Sequence, residues 1–305
     1  MTETGDASPS RSVDISVIVG SVESERSIRD CLESISNSAR GQNVEVIVVD
    51  ASHDKTAGLV RLHFPDVKLV PMRVGTLTPR LWLEGYARAS GSIVAFTIGH
   101  CVVPSVWVAE LQSALSSGAA GAGGPITLAP DSSLLDAAVY FLRYSAFMPG
   151  PSDDPHPVSE IAGDNSMYVR ASVDSHSTPG ADGFWEVDVN RRLRNAGMTL
   201  QMVPRAAVTF GRSAPLGVMS RHRFAHGAHS GKWRSIENGI NPWRIILAAP
   251  LVPFVLLLRI FNRVRSARGN IAPVLKSSPL IIWLAACWAS GEAVGAWRAI
   301  DARRN

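Results

Sequence analysis

Four short apolar segments in the first hundred residues constrain the fold most, because stretches with helical spacing separate them. They are DISVIVG, VEVIVVD, VKLVPM and SIVAFTI, at residues 14–20, 44–50, 67–72 and 92–98. After the first segment, apolar residues recur every three or four positions, at Ile28, Cys31 and Ile35, as on one face of a helix. This alternation predicts an α/β fold with a doubly wound, mainly parallel sheet.

The carboxyl ends of the strands are where such a sheet binds its ligands. The first strand leads into GSVESE, which lacks the GxGxxG pattern of dinucleotide-binding folds. The polar residues and the glycine at these ends are Glu23, Asp50, Asp54, Gly99 and His100. We expect them to surround a common site, although Ser52 or Asp54 as a helix N-cap is the simpler interpretation of that turn.

The alternation loosens after about residue 120. GAAGAGGP at residues 118–125 predicts a glycine-rich turn or loop, and PGPSDDPHP at residues 149–157 predicts a proline-rich loop. Beyond these, NSMYVR and TLQMVP are short segments on either side of a helix expected to begin near Phe184.

Charge is distributed very unevenly along the chain. Residues 1–188 carry 12 Lys/Arg and 23 Asp/Glu, a net charge of −11, whereas residues 189–305 carry 18 and 3, a net charge of +15. Because the basic residues lead directly into apolar stretches, this part fits an anionic membrane surface better than nucleic acid. The three cysteines are far apart and indicate neither a disulfide framework nor a zinc site.

Two apolar segments follow, at residues 242–261 and 280–297. The first has 14 uncharged residues between Arg244 and Arg259; a helix of that length spans about 21 Å, against roughly 30 Å of hydrocarbon. The basic loop after it would break the positive-inside rule if the first segment crossed from the cytoplasm. We expect interfacial or re-entrant helices; a two-crossing hairpin and buried core helices stay open.

Four stretches, in order, resemble the inverting family-two glycosyltransferases, which have the GT-A fold. VEVIVVDASHDKT is similar to that family's V-D-x-S-x-D-x-T turn, and FTIGHCVVPSVW to its F-T-D-A-D-C-V-V-P-x-x-W segment. IAGDNSMYVR is similar to its acceptor-side G-x-N-x-x-x-R segment, and GFWEVDVNRRLRNAG to its E-D-x-x-x-x-x-R-L segment. The resemblance covers roughly residues 13–235 and implies sugar transfer from a nucleotide-diphosphate sugar.

The resemblance also implies roles for the strand ends. The nucleoside would be held by Glu23, Asp50 and Asp54, and the diphosphate would lie near Gly99 and His100. Family members bind a divalent metal through two aspartates, and Ile98 and His100 stand at those positions here. A single imidazole is a poor ligand for Mg²⁺ and suits a softer ion such as Mn²⁺ better. His100 is therefore either a metal ligand or the cap of a turn.

Fixed cations can neutralise a departing diphosphate without a metal. RHRFAHGAHSGKWR, at residues 221–234, supplies a dense basic cluster. We predict that Arg223 and His226 bind the diphosphate; a basic face on anionic lipid is the alternative.

The acceptor side is expected at the last matching segment. Glu186 stands at the position of the family's catalytic aspartate, with Asp188 as a substitute, and the start of a helix keeps carboxylates ionised and able to take a proton. Asn165 and Trp185 are predicted to bind the acceptor, although Trp185 could instead fill the core.

The sequence thus predicts a membrane-associated inverting glycosyltransferase with a loose tail at 1–13, a GT-A domain at 14–235 and membrane-associated helices at 236–305. Its expected partners are a nucleotide-diphosphate sugar, a lipid-linked or glycan acceptor and membrane lipids, at the cytoplasmic face of the cell membrane. No nucleic acid partner is expected, and use of Mn²⁺ or Mg²⁺ stays open. A catalytically silent GT-A module that binds a nucleotide, a glycan or a partner enzyme is the alternative.

Overall fold

The computed structural model describes residues 13–176, 180, 182–237, 239–267 and 269–302, so nearly all of the predicted tail lies outside the described residues. The strands are β1 (Ile15–Ser21), β2 (Val44–Asp50), β3 (Lys68–Pro71), β4 (Ile93–Ile98), β5 (Cys101–Val102), β6 (Gly121–Gly123), β7 (Ile126–Leu128), β8 (His156–Val158), β9 (Ser166–Val169), β10 (Leu200–Met202) and β11 (Val208–Phe210). The α-helices are α1 (Ile28–Ser38), α2 (Thr56–His63), α3 (Thr78–Arg88), α4 (Trp107–Ser116), α5 (Leu134–Tyr144), α6 (Arg170–His176), α7 (Glu186–Asn195), α8 (Leu216–Ile236), α9 (Pro242–Ala248), α10 (Val252–Ser266) and α11 (Ala272–Ala302).

The main sheet has the strand order β3-β2-β1-β4-β9-β6-β10-β8, and β5, β11 and β7 form a small second sheet. Strands β3, β2, β1 and β4 are parallel, and β10 is parallel to β6. Only β9 and the edge strand β8 run against them in the described sheet. The predicted mainly parallel α/β sheet is confirmed, and the four predicted strands match β1 to β4 to within one residue at each end.

The core lies on both faces of the parallel strands. All seven residues of β1 are buried, and α1 covers one face with Ile28, Cys31 and Ile35, the residues predicted from their spacing. Burial on both faces explains why these strands are continuously apolar rather than alternating.

The glycine-rich stretch at residues 118–125 contains strand β6, so the prediction of a turn or loop is wrong for this part. A Cβ on Gly121 would lie 2.8 Å from the Tyr168 ring, and one on Gly124 would lie 2.0 Å from the Ala206 carbonyl oxygen. These glycines are therefore required by close packing inside the sheet rather than by chain reversal.

Helices α8 and α11 approach each other so closely that their backbones are in contact. A Cβ on Gly227 or Gly231 of α8 would lie 2.0 Å from a carbonyl oxygen of α11, and one on Gly291 or Gly295 of α11 would lie 2.0 Å from a carbonyl oxygen of α8. Glu292 of α11 is buried beside these glycines and accepts hydrogen bonds from Ser230 and Arg234 of α8. The region predicted as membrane helices is thus packed directly on the domain predicted for residues 14–235.

Two helical stretches, Pro242–Ser266 and Ala272–Ile300, are long and apolar enough to cross a membrane by length and composition alone. An 18-residue part of the first has a mean hydropathy of 2.2 with 17% of it buried, whereas the corresponding part of the second is 44% buried. Four large apolar side chains of the first stretch are 62% to 75% exposed: Leu247, Leu251, Phe254 and Leu258. An exposed apolar surface of this kind favours a membrane or a partner.

Candidate active site

A cavity of about 400 Å³ lies at the carboxyl ends of β1 and β4. The strand ends contribute Gly20, Val22, Ile98 and His100. The opposite walls include Trp82 of α3, Arg143 and Tyr144 of α5, Asp164, Trp185, Glu186 of α7, His222, Arg223 and His226 of α8, and Trp288 of α11. Two of the three predicted strand ends therefore meet Glu186 and the basic cluster in one cavity.

Glu186 is the first residue of α7 and lies in the cavity wall. Gly163 allows this approach, because a Cβ there would lie 3.1 Å from Cγ of Glu186. Burial, reinforced by the negative charge of Asp164, raises the pKa of Glu186 to about 7. A carboxylate with this pKa can take a proton from an acceptor hydroxyl near neutral pH.

Asp188 is separated from this chemistry by its own helix. Its carboxylate forms ion pairs with Arg191 at 2.5 Å and with Arg192 at 2.8 Å, and it is not among the residues that line the cavity. The geometry therefore favours Glu186 over Asp188 as the general base.

Arg143 and Asp164 form a partly buried ion pair that the sequence motifs did not indicate. Nη2 of Arg143 donates to both carboxylate oxygens of Asp164, at 3.0 and 2.7 Å. Burial opposes the charge on Arg143, but Asp164 outweighs it and raises the pKa of the guanidinium. The available signal was that Arg143 is the only Lys or Arg between Arg88 and Arg170.

Arg223 presents a half-buried cation to the same cavity. Its Nε has no hydrogen-bond partner, and no carboxylate in the described ranges forms an ion pair with it. Burial and the nearby charge of Arg143 lower the pKa of Arg223 to about 10, so it stays protonated at neutral pH. An unpaired, half-buried cation in a cavity wall fits an anionic ligand.

Burial disfavours the positive charge that was predicted for His226. Burial, with the charges of Arg143 and Arg223, holds the pKa of His226 well below its ordinary value. The neutral ring instead packs edge-on against Trp185, with ring centroids 5.6 Å apart.

The indole ring of Trp185 is partly covered by side chains of α8. His229 stacks on the indole with ring centroids 4.1 Å apart and an interplanar angle of 10°. The indole Nε1 is buried without a hydrogen-bond partner. Trp185 also lines the cavity, so His229 covers one face of a ring that is part of the cavity wall.

His100 ties the end of β4 to the first loop. Its Nε2 lies 2.8 Å from the Val22 carbonyl oxygen and its Nδ1 lies 3.2 Å from the Ser27 hydroxyl, so Nε2 donates and Nδ1 accepts. Burial lowers the pKa of His100 to about 4. Gly99 lets Ser24 of the same loop come close to the end of β4, because a Cβ there would lie 2.7 Å from Oγ of Ser24.

These residues do not fit the divalent metal that the family resemblance implies. Ile98 has no ligand atom, and both ring nitrogens of His100 are already hydrogen-bonded. Within the described ranges, no group of three or more His, Cys, Asp or Glu side chains could hold a metal ion. The His100 ring therefore holds the turn in place and offers no free nitrogen to a metal.

Asn165 has a structural role instead of the predicted acceptor contact. It is fully buried, its Oδ1 accepts from Nε1 of Trp107, and its Nδ2 donates to the carbonyl oxygens of Pro125 and Ala206. With these bonds the Asn165 amide has no N–H group left to donate to a sugar acceptor.

The predicted nucleoside residues form a hydrogen-bond network between the ends of β1 and β2. Glu23, at a φ of 50°, donates its N–H to Oγ of Ser52 and accepts from the N–H of His53. Ser52 donates to Oδ1 of Asp50, and Asp54 accepts from the N–H of Glu25. Asp50 lies opposite Ser21 of β1, beside the 400 Å³ cavity but not among the residues that line it.

Comparisons with known proteins agree with this architecture. The sequence model of glycosyl transferase family 2 matches residues 16–176, more than half of the chain. No curated protein sequence matches the chain significantly.

Solved structures of S. aureus TarS are similar in fold. The structure of TarS 1–349 in complex with UDP has a TM-score of 0.51 at 13% identity, covering 93% of this chain and 91% of that one. A second structure of TarS 1–349 has a TM-score of 0.50 at 12% identity, covering 95% of this chain and 91% of that one. Against a longer TarS chain, this chain spans 39% of its length. At such low identity the likeness shows the fold and nothing finer. On the family match and the fold together, the chain belongs to glycosyl transferase family 2 and has a GT-A-like fold.

Proposed function

We propose that this protein transfers a sugar, with inversion, from a nucleotide-diphosphate sugar to a lipid-linked or glycan acceptor at the cytoplasmic face of the cell membrane. The observation that carries the proposal is the pairing, in one cavity, of a carboxylate with a raised pKa, Glu186, and an unpaired, half-buried cation, Arg223. A general base and a fixed positive charge are the two groups that such a displacement requires.

The reaction follows from these two groups. The acceptor hydroxyl gives its proton to the Glu186 carboxylate as its oxygen attacks the anomeric carbon. The bond between that carbon and the diphosphate oxygen breaks, and the electron pair leaves with the diphosphate. Arg223 stabilises the negative charge that develops there, which is the role a metal has in family members with both aspartates.

A uridine nucleotide is the first donor to test, because the TarS fragment of similar fold was crystallised with UDP. Membrane association is supported by the exposed apolar residues of α9 and α10 and by the basic character of residues 189–305. An acceptor with a lipid part would be available at that surface.

The test is release of UDP from a panel of UDP-sugars by the purified protein in EDTA, with membrane lipids present as a source of acceptor. We expect release by the wild-type protein without added metal, and a loss of about tenfold or more in Arg223→Ala. Arg221→Ala is the matched control, since Arg221 is an exposed neighbour on α8 that does not line the cavity.

Two outcomes would contradict the proposal. UDP binding with no release from any UDP-sugar would favour the catalytically silent module. Release that requires added Mn²⁺ would contradict the metal-free mechanism and would favour His100 as a metal ligand.

A further inference from the structure

A second, open groove of about 810 Å³ lies between α10 and the chain segment that follows α5. One wall is formed by residues 145–151. The other is a single face of α10, with Val255, Leu258, Arg259, Asn262, Arg263 and Ser266 at helical spacing. None of the sequence motifs accounts for this groove.

The groove combines two unpaired cations with an apolar entrance. Arg259 and Arg263 are one turn apart, and no carboxylate in the part of the chain that the structure describes forms an ion pair with either. Arg263 donates to Oγ of the buried Ser145, at 3.2 Å, which fixes it toward the groove. Directly along the helix, Val255 and Leu258 are 51% and 62% exposed.

The groove and the catalytic cavity share one segment of chain as their common wall. Within residues 142–148, Leu142, Arg143, Tyr144 and Phe147 line the cavity, while Ser145, Ala146 and Met148 line the groove. A molecule seated in the groove is therefore separated from Arg143 and Tyr144 only by the thickness of this segment.

We propose that the groove binds the phosphate of a lipid acceptor, with Arg259 and Arg263 on the phosphate and the lipid chain along Val255 and Leu258. Two adjacent guanidinium groups bind phosphate oxygens through charged hydrogen bonds, and the exposed apolar strip of the same helix suits an alkyl or prenyl chain. This assignment rests on the proposed glycosyltransferase function and narrows its acceptor to an amphiphile with a phosphate.

The test uses the full chain in a nonionic detergent, titrated with dodecyl phosphate, dodecanol or inorganic phosphate, with binding followed by thermal shift. We expect dodecyl phosphate to bind, and its Kd to rise about tenfold or more in the Arg259→Ala/Arg263→Ala double variant. Arg265→Ala is the matched control, because Arg265 lies on the same helix outside the groove and should leave the Kd within about twofold.

Equal losses in Arg265→Ala and in the double variant would mean general attraction to anionic surfaces and would overturn the assignment. Equally tight binding of dodecanol would show that the groove does not recognise the phosphate. Displacement of dodecyl phosphate by inorganic phosphate at constant ionic strength would show that the groove does not recognise the lipid chain. UDP binding, measured on the same samples, tests the catalytic cavity separately. A double variant that binds UDP normally but not dodecyl phosphate isolates the groove.

Discussion

Glu186 and Asp188 are two residues apart, yet their surroundings give them different properties. Asp188 is neutralised by two arginines of its own helix, whereas Glu186 is enclosed in the cavity beside Asp164. The sequence indicated the pair, because both residues stand at the start of a helix in the matching segment. It could not separate them, since the difference depends on Arg191 and Arg192 and on a loop that lies 22 residues earlier.

Glu186→Gln should reduce transfer by about 10²–10⁴-fold, the usual contribution of a general base. Asp188→Asn should change the rate of transfer little. It should lower the stability of α7 slightly. The measurement is kcat with each variant under saturating donor. Equal losses in the two variants would contradict the assignment of the base.

The pH dependence of activity and of Tm, measured for the wild type and for Glu186→Gln, gives a separate test. Because the pKa of Glu186 is raised from 4.5 to about 7, activity should rise with pH through about 7 and then level off. The native state also holds this proton more tightly than the unfolded chain, so the stability that it contributes is present below pH 4.5 and is lost as pH rises through 7. Glu186→Gln should therefore lose less Tm than the wild type on going from about pH 5 to about pH 8. Parallel Tm curves would contradict a raised pKa.

His100, Asn165 and Asp54 illustrate what a motif position leaves open. Each stands where the family resemblance implies contact with a ligand, but each has its polar atoms bonded within the protein. Conversely, the Arg143–Asp164 pair joins a helix to a loop 21 residues later, and no sequence spacing predicts such a contact.

At the level of elements, the parallel half of the sheet was predictable because β1 to β4 are continuous apolar strands separated by helices. Strand β6 was not, because Gly121 within it and Gly124 just after it pack against Tyr168 and Ala206, and a glycine-rich sequence by itself predicts a turn. The contact between α8 and α11 was not predictable for the same reason. Each helix carries two glycines separated by three residues, and this spacing indicates close packing only when the opposing helix is known.

Gly291→Ala should lower stability by about 2 kcal/mol or more, because its Cβ would lie 2.0 Å from the backbone oxygen of Phe224 and the helices must separate. Since α8 carries Arg223 and α11 carries Trp288, kcat should fall as well. Gly217→Ala is the matched control, because its Cβ would meet only the end of the Arg221 side chain, at 3.7 Å. Urea unfolding gives the two free energies; the account is wrong on this point if both substitutions are equally tolerated.

The whole molecule combines an acidic half with a basic, apolar half, and that division was visible from charge and hydropathy alone. How the halves join was not visible: α11 lines the cavity through Trp288, so the boundary predicted at residue 235 falls between helices that pack on each other. Which apolar face stays exposed likewise depends on how α9 and α10 pack on the domain.

The exposed apolar face should hold the protein on membranes. A triple variant with Leu247, Leu251 and Phe254 each changed to Ser should move from the pelleted membrane fraction toward the soluble fraction, because three side chains that are at least 62% exposed lose their apolar surface. Leu62→Ser, on α2 and 74% exposed, should stay with the membranes as the wild type does. If the triple variant pellets as fully as this control, α9 and α10 do not provide the attachment.

We propose that the cavity between β1, β4 and α8 binds a sugar nucleotide through Arg223 without a metal. Calorimetric titration of UDP in EDTA tests it most directly, with the wild type, Arg223→Ala and Arg221→Ala. The account predicts that UDP binds to the wild type and to Arg221→Ala alike, and about tenfold or more weakly to Arg223→Ala. Absence of UDP binding to the wild type, or unchanged binding to Arg223→Ala, would contradict it.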